Sequence, residues 1–298
     1  MNDLISDNFK NYELLDSGEG KKLENIAGVL VERPSPQAIW PKKLKEVEWG
    51  KANSVCIRKK DGGGTWIHKN NKEPKGLLFH HQTLQGEMLS FKLKFTSFGH
   101  CGVFFEQIAV WNCIEKKLID LKQKKNRPLK FLNLFGYTGC ASLVALNTQA
   151  EVFHVDSSKG VLSWCLENAE LNHLNTKNLK LIQDDVLKFV RHSQKKGFKY
   201  DGILLDPPSW GHGANKEVWE FELMIAELIN HCCDILDSKD SFIFFSCHTH
   251  GVQKDALKNL LQSKSKKTQV TCGDLVVRHH TSQDERLLPA GIYTLGVN

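Results

Sequence analysis

The second half of this 298-residue chain alternates apolar strand patterns with helical ones, and that alternation constrains its fold more than any other feature. Phe131-Leu-Asn-Leu-Phe-Gly-Tyr-Thr-Gly-Cys140 reads as an apolar strand, a glycine turn and the start of a helix. Asp156, Asp185 and Asp206-Pro-Pro-Ser209 then close three later apolar runs. The pattern predicts strands at 130–134, 151–155, 179–183, 201–205 and 241–246, alternating with helices at 140–148, 159–174, 186–195, 216–236 and 252–263. Such alternation specifies a parallel sheet covered by helices on both faces, because each parallel pairing needs a long crossover. Ile108, Val110, Trp111, Ile114, Leu118 and Ile119 predict a preceding helix from 106 to about 121, which Lys122-Gln-Lys-Lys-Asn-Arg-Pro128 ends. At the other end, 274–278 and 291–295 read as two strands with no long helix between them, suited to an antiparallel edge pair.

At 41% hydrophobic and 25% charged residues, the chain can bury one large core and a smaller one. It contains no apolar run of the ~18 residues that a membrane span needs, and Met1-Asn-Asp-Leu-Ile-Ser-Asp7 lacks a secretory pattern, so a cytoplasmic protein is expected. Nine cysteines without a Cys-x-x-Cys pair support neither a disulfide framework nor a metal site. The net charge of +6 is uneven: residues 1–130 carry 23 Lys/Arg against 15 Asp/Glu, and residues 131–298 carry 17 against 19. A basic N-terminal part beside a near-neutral remainder suits a polyanion such as RNA.

Residues 1–97 read as a small β-rich module. Ser54–Arg58 and Thr65–His68 flank Asp61-Gly-Gly-Gly64, a hairpin signal. The three prolines of Arg33-Pro-Ser-Pro-Gln-Ala-Ile-Trp-Pro-Lys-Lys43 predict an extended, basic, surface-running segment, with a structural strap as the alternative. Trp40, Trp49 and Trp66 are candidates either for stacking on bases or for hairpin packing.

In a doubly wound sheet a ligand sits beyond the carboxyl ends of the strands. Gly136 and Gly139 allow a tight turn there, but their Gly-x-x-Gly spacing is not the Gly-x-Gly-x-x-Gly of dinucleotide enzymes. Asp156, 17 residues after Gly139, is placed to accept ribose hydroxyls. Asp185 is placed to accept an adenine amino hydrogen, with a helix N-cap as the alternative. Asp206-Pro207-Pro208 presents an acid and rigid carbonyls at the next strand end, and Gly211-His-Gly213 beyond Trp210 reads as a loop over the cleft.

Over residues 98–298 these motifs resemble the class I S-adenosylmethionine-dependent methyltransferases, and in particular the large-subunit ribosomal RNA cytosine-5 methyltransferase family. The resemblance implies a Rossmann-like α/β fold, with a seven-stranded, mostly parallel sheet containing one reversed strand, after the β-rich N-terminal domain of residues 1–97. It implies S-adenosyl-L-methionine as cofactor, held by Asn133, Phe135, Gly136, Tyr137, Thr138 and Gly139, by Asp156 and Ser157, by Asp185, and by Asp206 and Pro207. Phe98-Gly-His-Cys-Gly-Val-Phe-Phe-Glu-Gln107 is similar to the family segment that walls the cofactor pocket, which adds His100, Phe104 and Gln107. Pro208, Ser209 and Trp210 fall on the substrate side. The implied partner is RNA, ribosomal in this family, with no membrane and no metal; the oligomeric state is open.

Ser246-Cys-His248 closes the strand next to Asp206, so Cys247 is a candidate nucleophile for carbon methylation. A thiolate added to a cytosine ring makes the neighbouring carbon nucleophilic, while Asp206 stabilises the adduct and His248 or His250 moves the proton. A cysteine in an apolar strand is also commonly a buried small hydrophobe. Methylation of a base nitrogen without a covalent intermediate is the alternative, and a nicotinamide oxidoreductase and a non-catalytic RNA-binding protein are the readings from other classes.

Overall fold

The computed structural model describes residues 3–7, 9–58, 63–213, 217–264, 269–281 and 284–298. By contact density the chain forms two units, one of Val110–Asp274 and Gly291–Asn298 with the residues up to Leu4, the other of Ile5–Ala109 and Leu275–Ala290. The sequence expectation drew one boundary after residue 97, whereas 98–109 and 275–290 group with the N-terminal part. Arg286 accounts for much of that second excursion. Its guanidinium donates to Asp16 at 2.8 Å and to the Ser17 carbonyl at 2.9 Å, and it also pairs with Asp284. Asp16, His279 and Asp284 lie within ligand distance of one another, but Arg286 and Lys43 already supply the positive charge that a cation would bring.

In the larger unit the alternating pattern becomes the sheet it specifies. Lys130–Leu134, Glu151–Asp156, Leu179–Gln183, Gly202–Leu205 and Phe242–Cys247 pair in parallel, in the spatial order third, second, first, fourth, fifth. Leu287–Val297 then pairs antiparallel to Phe242–Cys247, which is the reversed strand. Among the described residues the sheet has eight strands, one more than the resemblance implied, because Leu4–Ser6 adds to the edge beyond Gln269–Arg278. The helices Cys140–Asn147, Lys159–Leu171, Val186–Lys195 and Lys254–Gln262 fall where the pattern puts them. The helix expected from residue 216, a position outside the described residues, begins at Phe221. Ahead of it Trp210–His212 and Val218–Glu220 pair as a two-stranded ribbon, so Gly211 and His212 lie in a strand rather than in a loop.

Core placement follows side-chain alternation. Leu132, Leu134, Ile203, Leu205, Ile243, Phe245 and Cys247 face the helices Val186–Lys195, Phe221–Ile235 and Lys254–Gln262, whose Val190, Leu228, Ile229 and Leu261 complete one buried cluster. Among the described residues, no helix is long and apolar enough to cross a membrane.

The smaller unit carries a five-stranded sheet of Tyr12–Gly18, Lys21–Ile26, Val29–Pro34, Ser54–Arg58 and Gly64–His68, and a hairpin of Leu78–Gln82 with Met88–Lys92. Two-residue turns, Glu19-Gly20 (φ 54° and 75°) and Ala27-Gly28 (φ 52° and 83°), join its first three strands. Two consecutive left-handed residues match the twist of paired strands. Ser54–Arg58 does pair with Gly64–His68, although residues 61 and 62 of the expected turn lie outside the described residues. Val29–Pro34 and Ser54–Arg58 run parallel, and the proline-bearing segment is the crossover that this pairing requires. The segment therefore acts as a structural strap, the alternative reading, with Arg33, Ser35 and Ala38 buried. Arg33 is buried and clamps the fully buried Glu24 through Nε at 2.6 Å and Nη2 at 2.8 Å, with Tyr12 donating to the same carboxylate. Each of the three tryptophans spends its indole N–H inside this unit: Trp40 on the Ser17 carbonyl, Trp49 on Asp16 and Trp66 on the Thr96 carbonyl.

Burial would raise the Glu24 pKa, but Arg33, Lys22 and the hydrogen bonds it accepts win and hold it at about 2. The depressed value makes this contribution to stability present above the ordinary carboxylate range and lost as pH falls toward 2. Arg33→Met strands the buried carboxylate and is expected to cost about 3–5 kcal/mol in urea unfolding, and the Arg33→Met/Glu24→Gln pair is expected to recover part of that loss. Additive losses in the pair would contradict the clamp.

Candidate active site

Parallel register brings the ends of four strands level. Leu134 pairs with Val155 on one side and with Leu205 on the other, and Leu205 pairs with Phe245. The next residues, Phe135, Asp156, Asp206 and Ser246, therefore line one edge of the sheet. The strand order reverses beside Lys130–Leu134, the switch point where open α/β sheets hold ligands.

The loop after the first strand is tightly bent. Phe135 (φ 57°), Tyr137 (φ 51°) and Gly139 (φ 88°) all adopt left-handed conformations, an arrangement that costs energy for the two aromatic residues. Asp156 helps hold it: Oδ2 accepts the Tyr137 N–H at 3.0 Å and Oδ1 accepts the Ser158 N–H at 2.9 Å. Burial raises the Asp156 pKa and the backbone N–H donors pull against it. No cation pairs with Asp156 among the described residues. A half-buried carboxylate held only by backbone donors keeps lone pairs free for hydroxyl groups, which fits a ribose. Ser157, its neighbour, donates to the His212 carbonyl at 3.1 Å and so meets the ribbon.

The two glycines serve packing as much as ligand approach. A Cβ on Gly136 would collide with the His154 ring, and one on Gly139 would collide with Cys165. By sequence His154 reads only as the interior of a strand, Glu151–Asp156. Its Nδ1 lies 2.8 Å from Ser142 Oγ, which also accepts the Asn133 amide at 2.9 Å. Ser142 Oγ thus bridges the Asn133 amide and the His154 ring. Asn133 therefore supports the loop from below, at 3% exposure, while Thr138 is buried and gives its carbonyl to Asn168. A histidine opposite Asn133 in the strand register was the available signal.

Asp185 accepts the Lys188 N–H at 2.9 Å, so one of its oxygens caps the helix Val186–Lys195, and Asp184 accepts the Asp185 N–H. On the acceptor side, Asp206 Oδ1 receives the Ser246 hydroxyl at 2.7 Å and lies 3.3 Å from His248 Nε2. Gly291 makes room for that imidazole, because a Cβ there would stand 2.7 Å from His248 Nδ1. Pro207 is buried, whereas Pro208, Ser209 and Trp210 are exposed and His248 is at the surface beside them. Ser209 Oγ pairs with Thr249 Oγ1 at 3.0 Å. Cys247 is not brought into this group. Strand alternation turns it away from Ser246 and His248 into the helix-covered core, where it is 1% exposed and burial pushes its thiol pKa up. His100, Phe104 and Gln107 belong to the other unit, where the His100 and Phe104 rings lie 4.8 Å apart and Gln107 is buried.

A solved SAM-dependent methyltransferase from Agrobacterium tumefaciens superposes with a TM-score of 0.89 at 32% identity, over 99% of this chain and 93% of that one. A structure from Streptococcus mutans shares the fold with a TM-score of 0.69 at 18% identity, over 98% of this chain and 76% of that one. Fold and strand-end acids together define a class I S-adenosylmethionine-dependent methyltransferase. The chain belongs to the family described as Conserved hypothetical protein 95, whose model matches residues 109–276. Ribosomal RNA large subunit methyltransferase K/L of Shewanella sp. (strain ANA-3) is 36% identical over 129 residues, 43% of this chain and 17% of that relative. Ribosomal RNA large subunit methyltransferase I of Aeromonas hydrophila is 44% identical over 82 residues, 27% of this chain and 21% of that relative. The chain thus spans about a fifth or less of the length of these curated relatives.

Gly136→Ala is expected to cost about 1–3 kcal/mol in urea unfolding through overpacking against His154, and less in a His154→Ala background. Fully additive costs would show that the two side chains do not compete for one space. Burial, partly offset by the Tyr137 backbone, lowers the His154 pKa to about 4. The unfolded chain then binds more protons between about 4 and the ordinary value of about 6.5, so this contribution is full above that window and is lost as pH falls through it. His154→Gln is expected to flatten the stability profile in that window.

Proposed function

We propose that this protein transfers a methyl group from S-adenosylmethionine to a base of RNA, with ribosomal RNA as the substrate class. The observation that carries the reading is the Asp206 carboxylate, held by Ser246 and His248 at the strand end beside the Asp156-braced loop. The names of the relatives support ribosomal RNA, and the basic excess of residues 1–130 supports a polyanion.

When bound, the cofactor supplies a methyl group on a sulfonium, open to in-line attack by a nucleophile. Asp156 would hold its ribose hydroxyls, Asp185 would accept from its adenine amino group, and the Phe135–Gly139 turn would hold its methionine end. Pro208, Ser209 and Trp210 meet the incoming base, and the exposed Trp210 offers a face for stacking. Asp206 accepts an N–H of the base and directs the nitrogen lone pair at the methyl group. His248 lies within reach of Asp206 to take the proton released as the new bond forms.

The buried, upward-shifted thiol of Cys247 favours a base nitrogen as acceptor, since a nucleophilic cysteine needs exposure and a lowered pKa. The position of Ser246-Cys-His248 beside Asp206 keeps cytosine carbon 5 as the second reading, in which the Cys247 thiolate attacks the ring.

S-adenosylhomocysteine is expected to raise the melting temperature while NAD does not, and the reverse result would point to an oxidoreductase. Asp206→Asn is expected to lower tritiated methyl incorporation into total RNA by ~10² or more while leaving that thermal shift in place. Undiminished incorporation would remove Asp206 from the site. Cys247→Ala separates the acceptors: most of the activity survives if nitrogen is methylated, and all of it is lost if carbon 5 is.

A further inference from the structure

We infer that Trp219 is a positioning residue that ties the acceptor side of the site to the cofactor side through one indole, an inference that rests on the methyltransferase reading above. Trp219 stands on the Val218–Glu220 strand of the ribbon, opposite Gly211, and is 4% exposed. Its Nε1–H donates to the Pro208 carbonyl at 2.7 Å. Its ring packs edge-on against Phe135, with centroids 5.0 Å apart and planes at 61°. One side chain thus touches both the Pro-Pro segment after Asp206 and the left-handed residue that opens the first-strand turn.

The chemistry of Pro208 explains why such a tie is useful. Proline has a fixed φ and no N–H, so ψ is its one soft backbone dihedral, and an indole on its carbonyl oxygen fixes that dihedral. Nearby bonds brace the same connection: the Phe221 N–H donates to the Ser209 carbonyl at 3.1 Å, and the His212 carbonyl receives the Ser157 hydroxyl. The ribbon therefore touches the turn after each of the three strands that end in Leu134, Asp156 and Leu205. In-line transfer needs reacting atoms about 3–3.5 Å apart, and a displacement of about 1 Å costs on the order of 10² in rate. A residue that sets the spacing between the cofactor turn and the acceptor edge acts on that distance without touching either reactant.

Two variants separate the two contacts. Trp219→Phe keeps an aromatic ring against Phe135 and removes the N–H, whereas Trp219→Leu removes both. S-adenosylhomocysteine affinity is measured by calorimetry, and initial rates are measured with tritiated S-adenosylmethionine on total RNA from cells lacking the gene. For Trp219→Phe the expectation is an affinity and a KM for S-adenosylmethionine within about twofold of wild type and a kcat lower by about tenfold, the effect of one buried hydrogen bond. For Trp219→Leu the S-adenosylhomocysteine affinity is also expected to fall, by about tenfold, as Phe135 loses its support. A Trp219→Phe protein with wild-type kcat, or one that loses S-adenosylhomocysteine affinity as severely as Trp219→Leu, overturns the positioning role. If the wild-type protein binds no S-adenosylhomocysteine, the methyltransferase reading falls and takes this inference with it. Wild-type binding together with an unaltered Trp219→Phe removes only the role of Trp219.

Discussion

A ladder of parallel backbone hydrogen bonds sets the level of everything at the functional edge. Because Leu134, Val155, Leu205 and Phe245 are paired in one register, the turn at Phe135, the acid at Asp156, the acid at Asp206 and the hydroxyl at Ser246 emerge side by side. A slip of one residue in any of these pairings would turn that strand's side chains to the opposite face and move its acid out of line. The buried Leu, Ile, Phe and Val side chains on the helix-covered face prevent that slip, so the packing of the core and the geometry of the site share one cause.

Strain at this edge is balanced by polar contacts just beneath it. Phe135 and Tyr137 hold left-handed conformations that would relax in an unsupported loop. Asp156 pins the Tyr137 N–H, the His154 ring fills the space below Gly136, and Ser142 with Asn133 orients that ring. On the acceptor side the same logic recurs, with Ser246 and His248 orienting Asp206 and Trp219 holding the segment after it. Residues taken from the sequence as contacts to a cofactor thus divide into two kinds. Asp156 and Asp206 reach the edge, whereas Asn133 and Thr138 are buried below it.

Much of the fold could be read in advance because strand, helix and turn leave local signatures. The apolar run before Gly136, the spacing to Asp156 and the two prolines after Asp206 each depend on only a few neighbouring residues. The ribbon of Trp210–His212 and Val218–Glu220 is not legible in the sequence, because a three-residue strand has no measurable periodicity and glycines at 211 and 213 resemble loop punctuation. Whether the segment after Arg33 is a surface run or a structural strap is hidden from the sequence for a related reason. Its prolines signal extended backbone, but nothing local reveals that Arg33 meets Glu24 of the preceding strand and is buried there.

Taken alone, the sequence determines the alternation of elements, the parallel sheet and the acids at its strand ends, since these follow from hydrophobic period and from turn residues close along the chain. Tertiary structure alone decides which face each side chain uses and which distant group it meets. Cys247 and Ser246 are neighbours in sequence, yet pleating sends one into the core and the other to Asp206. Trp219 is one indole among seven in the sequence until the ribbon folds it between Pro208 and Phe135. The physical reason is that hydrogen bonds and ring contacts act over a few ångströms of space, and only the folded sheet brings residues 135, 156, 206, 219 and 246 within that range of their partners.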